Sequence, residues 1–143
     1  MADTIRFDLV SPERRVASMD ATLVALPGAA GDLAVGPGHE ATITTLRPGV
    51  LKVEGSGGTE EYAVTGGFAE ISAESVTVLA ERSMAASDLT QETFDAYVEE
   101  AEENARAAKE SDEHGVADDA SKLVSDMVAM GGQIGLSTRQ PNL

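Results

Sequence analysis

The chain has 143 residues, 42% of them hydrophobic and 3% aromatic, with no cysteine and a formal net charge of −15. That length holds one ordinary domain or two small ones. The charge repels nucleic-acid phosphates and anionic lipid heads, so neither nucleic acid binding nor direct lipid insertion is expected. The missing cysteines exclude disulfides, thiolate metal sites and a cysteine nucleophile together.

No apolar run approaches the roughly 20 residues that span a bilayer, and the opening MADTIRFDLV has neither the basic start nor the apolar centre of a secretory leader. The first part is punctuated by turns at Ser11-Pro12, Pro27-Gly28, Gly36-Pro37-Gly38, Pro48-Gly49, Gly55-Ser56-Gly57-Gly58 and Gly66-Gly67. Gaps of about 8–12 residues between turns are those of a sandwich or barrel. In Thr4–Leu9, Ile5, Phe7 and Leu9 alternate with polar residues, so one face is buried. The stretches Ala21–Leu26, Thr42–Leu46, Val50–Glu54, Glu61–Thr65, Phe68–Ile71 and Val76–Ala80 are similar, and their Val, Ile and Thr side chains suit a pleated surface. This reads as an antiparallel β-sandwich over residues 1–86.

The period then changes. Phe94, Tyr97, Val98, Ala101, Ala105 and Ala108 form one helical stripe, with Glu99, Glu100, Glu102 and Glu103 on the other side. Asp88 or Thr90 caps its start. Ser111 to Gly115 breaks the pattern, and Val116, Ala120, Leu123, Val124 and Met127 form a second stripe that Gly131-Gly132 ends. Residues 87–136 therefore read as an αα-hairpin with thin, alanine-rich seams, and 137–143 as a mobile tail. Residues 1–86 carry 12 acids and 6 bases, while 87–143 carry 13 acids and 4 bases in a shorter stretch.

Little in the chain points to catalysis. His114 sits in the acidic connector and reads as a solvated loop residue. His39 is the better candidate base, but no GxSxG elbow surrounds a serine, and no HExxH or paired histidines offer zinc ligands. Gly55-Ser56-Gly57-Gly58 lacks the Lys-Ser/Thr of a phosphate loop and reads as a hairpin tip. The glutamates of the first helix point around its cylinder, unlike the ligands of a calcium loop. Gly66-Gly67 before Phe68 marks either a tight turn or a close approach of another chain. No metal, nucleotide or cofactor is expected.

Four stretches in order carry a family resemblance: Gly31-Asp32-Leu33-Ala34-Val35-Gly36-Pro37-Gly38-His39, Leu46-Arg47-Pro48-Gly49-Val50-Leu51, Thr65-Gly66-Gly67-Phe68-Ala69-Glu70-Ile71 and Val76-Thr77-Val78-Leu79-Ala80-Glu81. Together they resemble the ε subunit of F-type ATP synthases, the counterpart of the mitochondrial δ subunit. The resemblance implies a non-catalytic rotor part, peripheral on the cytoplasmic face of a bacterial inner membrane. Its sandwich would grip the γ subunit on one side and the polar loops of the c-ring on the other. It implies c-ring contact at Asp32, Gly38 and His39, with a purely structural turn as the alternative for His39. It implies γ contact, or close backbone packing, at Gly66, Gly67 and Phe68.

The sequence also departs from the family. Ala34 and Gly36 stand where bulkier residues are common, and Glu40-Ala41 follows His39 where a proline often occurs. In some members the hairpin reaches the α/β subunits and inhibits hydrolysis through basic residues. Here residues 88–113 hold ten acids against Arg106 and Lys109, so inhibition is expected to be weak. Thr90, Thr93 and Phe94 replace the acid and Arg-Ala pair of an ATP-binding hairpin. Two other readings are a free-standing β-sandwich binding module with a helical adaptor, short of stacking rings for sugar, and a small hydrolase using His39, short of a nucleophile.

Overall fold

The structure, a computed structural model, describes residues 4–110 and 114–138. The chain divides into two compact units, Met1–Ser87 and Asp88–Leu143.

The first unit has ten strands: β1 (Ile5–Ser11), β2 (Arg14–Ala21), β3 (Leu23–Gly28), β4 (Gly31–Val35), β5 (Thr42–Leu46), β6 (Gly49–Gly55), β7 (Gly58–Val64), β8 (Gly67–Ile71), β9 (Ser75–Ala80) and β10 (Ser83–Ala85). One half runs β10-β7-β6-β3 with β4 on the free edge of β3, and the other runs β5-β8-β9-β1-β2. The halves join where Gly28 pairs with Leu46.

Alternation decides which side chains meet between the halves. Ile5, Phe7 and Leu9 of β1, Val76 and Val78 of β9 and Ile71 of β8 pack into one core with Val24 and Leu26 of β3, Leu51 and Val53 of β6, and Tyr62 and Val64 of β7. The Phe7 and Tyr62 rings lie across this core with centroids 6.4 Å apart. Such branched aliphatic packing resists shear because protein interiors are close-packed.

The sandwich is not wholly antiparallel. β1 pairs with β9 in parallel, from Arg6 opposite Ser75 to Val10 opposite Leu79. Alternation marks the buried face of a strand but not its partner, and no turn joins two strands so far apart in sequence. Three strands were not legible in the sequence: β2, β4 and β10. Across β2, Val16 to Met19 are all half-buried, so no clean alternation survives.

In the second unit, α1 spans Gln91–Glu110 and α2 spans His114–Ile134. Thr90 caps α1: its Oγ1 accepts from the Thr93 N–H at 3.1 Å and its carbonyl from the Phe94 N–H at 2.9 Å. Ala101 and Ala105 pack with Val124 and Ala120, forming the expected thin seam. Several details differ from the sequence reading. Glu102 is buried, because it stands one turn beyond Val98 on the flank of the apolar stripe. His114 begins α2 and Gly115 lies within it, while 111–113 of the expected break fall outside the described residues. Gly131 and Gly132 do not stop α2. The helix ends at Gly135, whose φ of 90° suits glycine. There the Leu136 N–H donates to the Gly131 carbonyl at 2.9 Å and the Gly135 N–H to the Gly132 carbonyl at 3.2 Å. Gly131 instead makes room for a ring: a Cβ added there would lie 2.1 Å from Phe94 Cζ. The start of the expected mobile tail is held, since the Gln91 side chain accepts from the Ser137 N–H at 2.8 Å and donates to its carbonyl at 2.9 Å. Residues 139–143 of that tail fall outside the described residues.

Candidate functional site

The outer face of the β5-β8-β9-β1-β2 half is read directly from its registers. One row across it is Thr45, Phe68, Leu79, Val10 and Arg15. The next is Ile43, Glu70, Thr77, Asp8 and Ser18. Three large apolar side chains stand open here: Ile43 is 73% exposed, Phe68 42% and Leu79 39%. Phe68 and Leu79 are cross-strand partners, and with Val10 and Pro12 they line a groove of about 490 Å³. A cluster of this kind on a soluble surface marks a protein contact more often than a chance distribution of apolar residues.

Two local features place these residues. Leu46 is committed to the core, so strict alternation turns Thr45 and Ile43 outward along β5. Gly67 lets β8 approach β9: with φ of 131°, a Cβ there would lie 2.0 Å from the Leu79 carbonyl oxygen. The close approach at this glycine is therefore to the chain's own β9. Gly66, with φ of 140°, receives the Glu81 N–H on its carbonyl at 3.0 Å.

The remaining expected site residues lie at the two ends of β5. Asp32 stands opposite Pro27 near the Gly28–Leu46 junction. Its Oδ1 accepts from Arg47 Nη2 at 2.5 Å, while Arg47 Nη1 donates to the Gly28 carbonyl at 3.0 Å. Arg47 thus ties the β3–β4 tip to the β5–β6 turn, and Asp32 keeps 73% of its side chain in solvent. Gly38 and His39 belong to the other end. Gly38, with φ of 83°, donates its N–H to the Ala73 carbonyl at 2.9 Å, beside the β8–β9 turn. His39 Nδ1 lies 2.7 Å from the Glu40 carbonyl, which can only accept, so that nitrogen carries the proton. β5, on the order of 13 Å long at about 3.3 Å per residue, separates the two groups. The structure therefore gathers Asp32 with the Gly66–Gly67 end and does not gather it with Gly38 and His39. Ile43 and Leu79, two of the three open apolar side chains, carry no such signal in the sequence, because an apolar residue in an alternating strand reads as core.

The family model for the ATP synthase delta/epsilon chain β-sandwich domain matches residues 4–86. The chain is 54% identical over 136 residues to the ATP synthase epsilon chain of Rhodobacter capsulatus, covering 95% of this chain and 100% of the relative. It belongs to the ATP synthase epsilon-chain family. It is also 50% identical over 137 residues to the epsilon chain of Ruegeria sp. (strain TM1040), again across 95% of this chain and all of the relative. Among solved structures it is similar in fold to a chain in the Euglena gracilis mitochondrial ATP synthase (OSCP/F1/c-ring, rotational state 1), with a TM-score of 0.65 at 23% identity over 88% of this chain and 78% of that one. Among the described residues no helix is long and apolar enough to cross a membrane.

Proposed function

We propose that this epsilon chain is a non-catalytic part of the central stalk of a proton-translocating ATP synthase. In this reading it joins the γ subunit to the polar loops of the c-ring, on the cytoplasmic side of the membrane and without entering the lipid. Membership of the epsilon family supports the assignment to the complex. The observation that carries the contact itself is the open apolar strip of Ile43, Phe68 and Leu79, which lies on a close-packed sandwich and needs cover. We assign that strip, with Gly66 and Gly67 shaping its edge, to γ. Asp32, braced by Arg47 at one corner, is assigned to the c-ring. Gly38 and His39 lie away from that corner, and the tight Gly38–Ala73 bond favours the structural turn for them.

Torque passes through stiffness, and a two-sheet core supplies it without any reacting group. The hairpin carries too much negative charge to attract an acidic partner, so we infer weak inhibition of hydrolysis and no tight ATP site there. Phe68→Asp tests the main reading. It places a charge in the strip without entering the core, so the isolated chain folds as before. Co-purification with the rest of the enzyme should fall at least tenfold. Undiminished co-purification would remove the strip from the contact. Deleting residues 88–143 should leave membrane ATPase activity within about twofold, and a larger rise would show an inhibitory hairpin.

A further inference from the structure

We propose that the strip seats a γ segment in which an apolar side chain is flanked by basic residues, with Glu70 and Glu81 as its charge partners. This rests on the assignment of the strip to γ. Phe68 and Leu79 face one another across β8 and β9. Glu70 follows Phe68 by two positions on β8, and Glu81 follows Leu79 by two, just past the end of the antiparallel β9 at Ala80, so the two acids lie on opposite sides of the apolar pair. At about 3.3 Å per residue, Glu70 stands on the order of 7 Å along β8 from that pair.

Both glutamates are exposed, Glu81 lines the groove, and neither forms an ion pair among the described residues. Of the two arginines on the face, Arg6 is already engaged. Arg6 lies 3.9 Å from Asp8 and 3.8 Å from Asp20 and also donates to Ser18. Arg15 ends the Phe68 row on β2, beyond β9 and β1. Within the strip, the Phe68–Leu79 pair is thus bracketed by two carboxylates that form no ion pair among the described residues. An apolar partner alone would crowd those carboxylates out of water without pairing them, and an acidic partner would be repelled. Basic flanks satisfy both, and rim charges of this kind act mainly on the rate of encounter.

Stopped-flow association of the full chain with the F1 complex lacking it tests this. Glu70→Gln with Glu81→Gln should slow association about three- to tenfold at low salt and flatten its salt dependence, leaving dissociation within about twofold. Phe68→Ala should instead speed dissociation at least tenfold. If Phe68→Ala speeds dissociation while the double glutamine variant associates like the wild type, the charge pairing is overturned and the assignment of the strip stands. If Phe68→Ala leaves dissociation unchanged, the strip does not face γ and both are overturned.

Discussion

Gly131→Ala is a test of how the helical unit is held. A Cβ at Gly131 would lie 2.1 Å from Phe94 Cζ, 2.5 Å from Cε1 and 2.7 Å from Cε2. Ordinary carbon contacts are about 3.5–4 Å, so the ring must withdraw by more than about 1 Å or the helices must part. Overpacking of this size costs about 1–3 kcal/mol. Alanine's better helix propensity returns up to about 1 kcal/mol, leaving a net loss of up to about 2 kcal/mol. Gly132 is the internal control, because a Cβ there meets nothing within 4 Å. Gly132→Ala should therefore gain up to about 1 kcal/mol from propensity alone. Native-state hydrogen exchange of the α1 and α2 amides reads both changes. Phe94→Leu, which shortens the clashing side chain, should abolish most of the loss from Gly131→Ala. If Gly131→Ala protects the helices as well as Gly132→Ala does, the account of Phe94 seated on Gly131 is wrong.

Three other perturbations follow from the sandwich. Gly67→Ala adds a Cβ 2.0 Å from the Leu79 carbonyl at φ of 131° and should cost at least about 3 kcal/mol in urea unfolding; a loss below about 1 kcal/mol would show that β8 can move away from β9. Tyr62 has its pKa raised from 10.0 to about 12, first by burial, then by its 2.6 Å hydrogen bond to Glu60 and the Glu60 charge. The fold thus favours the protonated phenol, so this stabilisation is complete below about pH 10 and is lost as pH rises through about 12. Tyr62→Phe should flatten the fall in stability over that alkaline range, and an unchanged slope would refute the assignment. Asp32→Lys breaks an exposed pair with Arg47 and should change folding stability by less than about 1 kcal/mol. It should nonetheless weaken association of the stalk with c-ring membranes, and unaltered association would remove Asp32 from that contact.

Much of the sandwich is legible because Ile5, Phe7 and Leu9 alternate cleanly and short Gly-Pro turns bound the strands. β2 is not, because a half-buried edge mixes Arg14, Arg15 and Asp20 with Val16 and Met19 on no fixed period. The parallel β1–β9 pairing is a long-range fact that local pattern does not encode. Gly131 reads as a helix stop until Phe94 is seen lying on it, and Glu102 reads as solvated until the width of the buried stripe is known. At the site, the glycine pair pointed to Phe68, since two glycines in a strand region demand a structural reason. Ile43 gave no such signal: only the commitment of Leu46 to the core shows that Ile43 must face out.

The direct test of the account uses the absence of native cysteine. Leu79→Cys creates a unique thiol on the strip, which can carry a short photoreactive cross-linker into the assembled, membrane-bound enzyme. Illumination should join this chain to γ, and the adduct should disappear when the cross-linker is moved to the outer face of the other half in a Lys52→Cys control, since Lys52 is exposed between the core residues Leu51 and Val53 of β6. Capture of another subunit in place of γ, or no adduct from an enzyme shown to contain the chain, would contradict it.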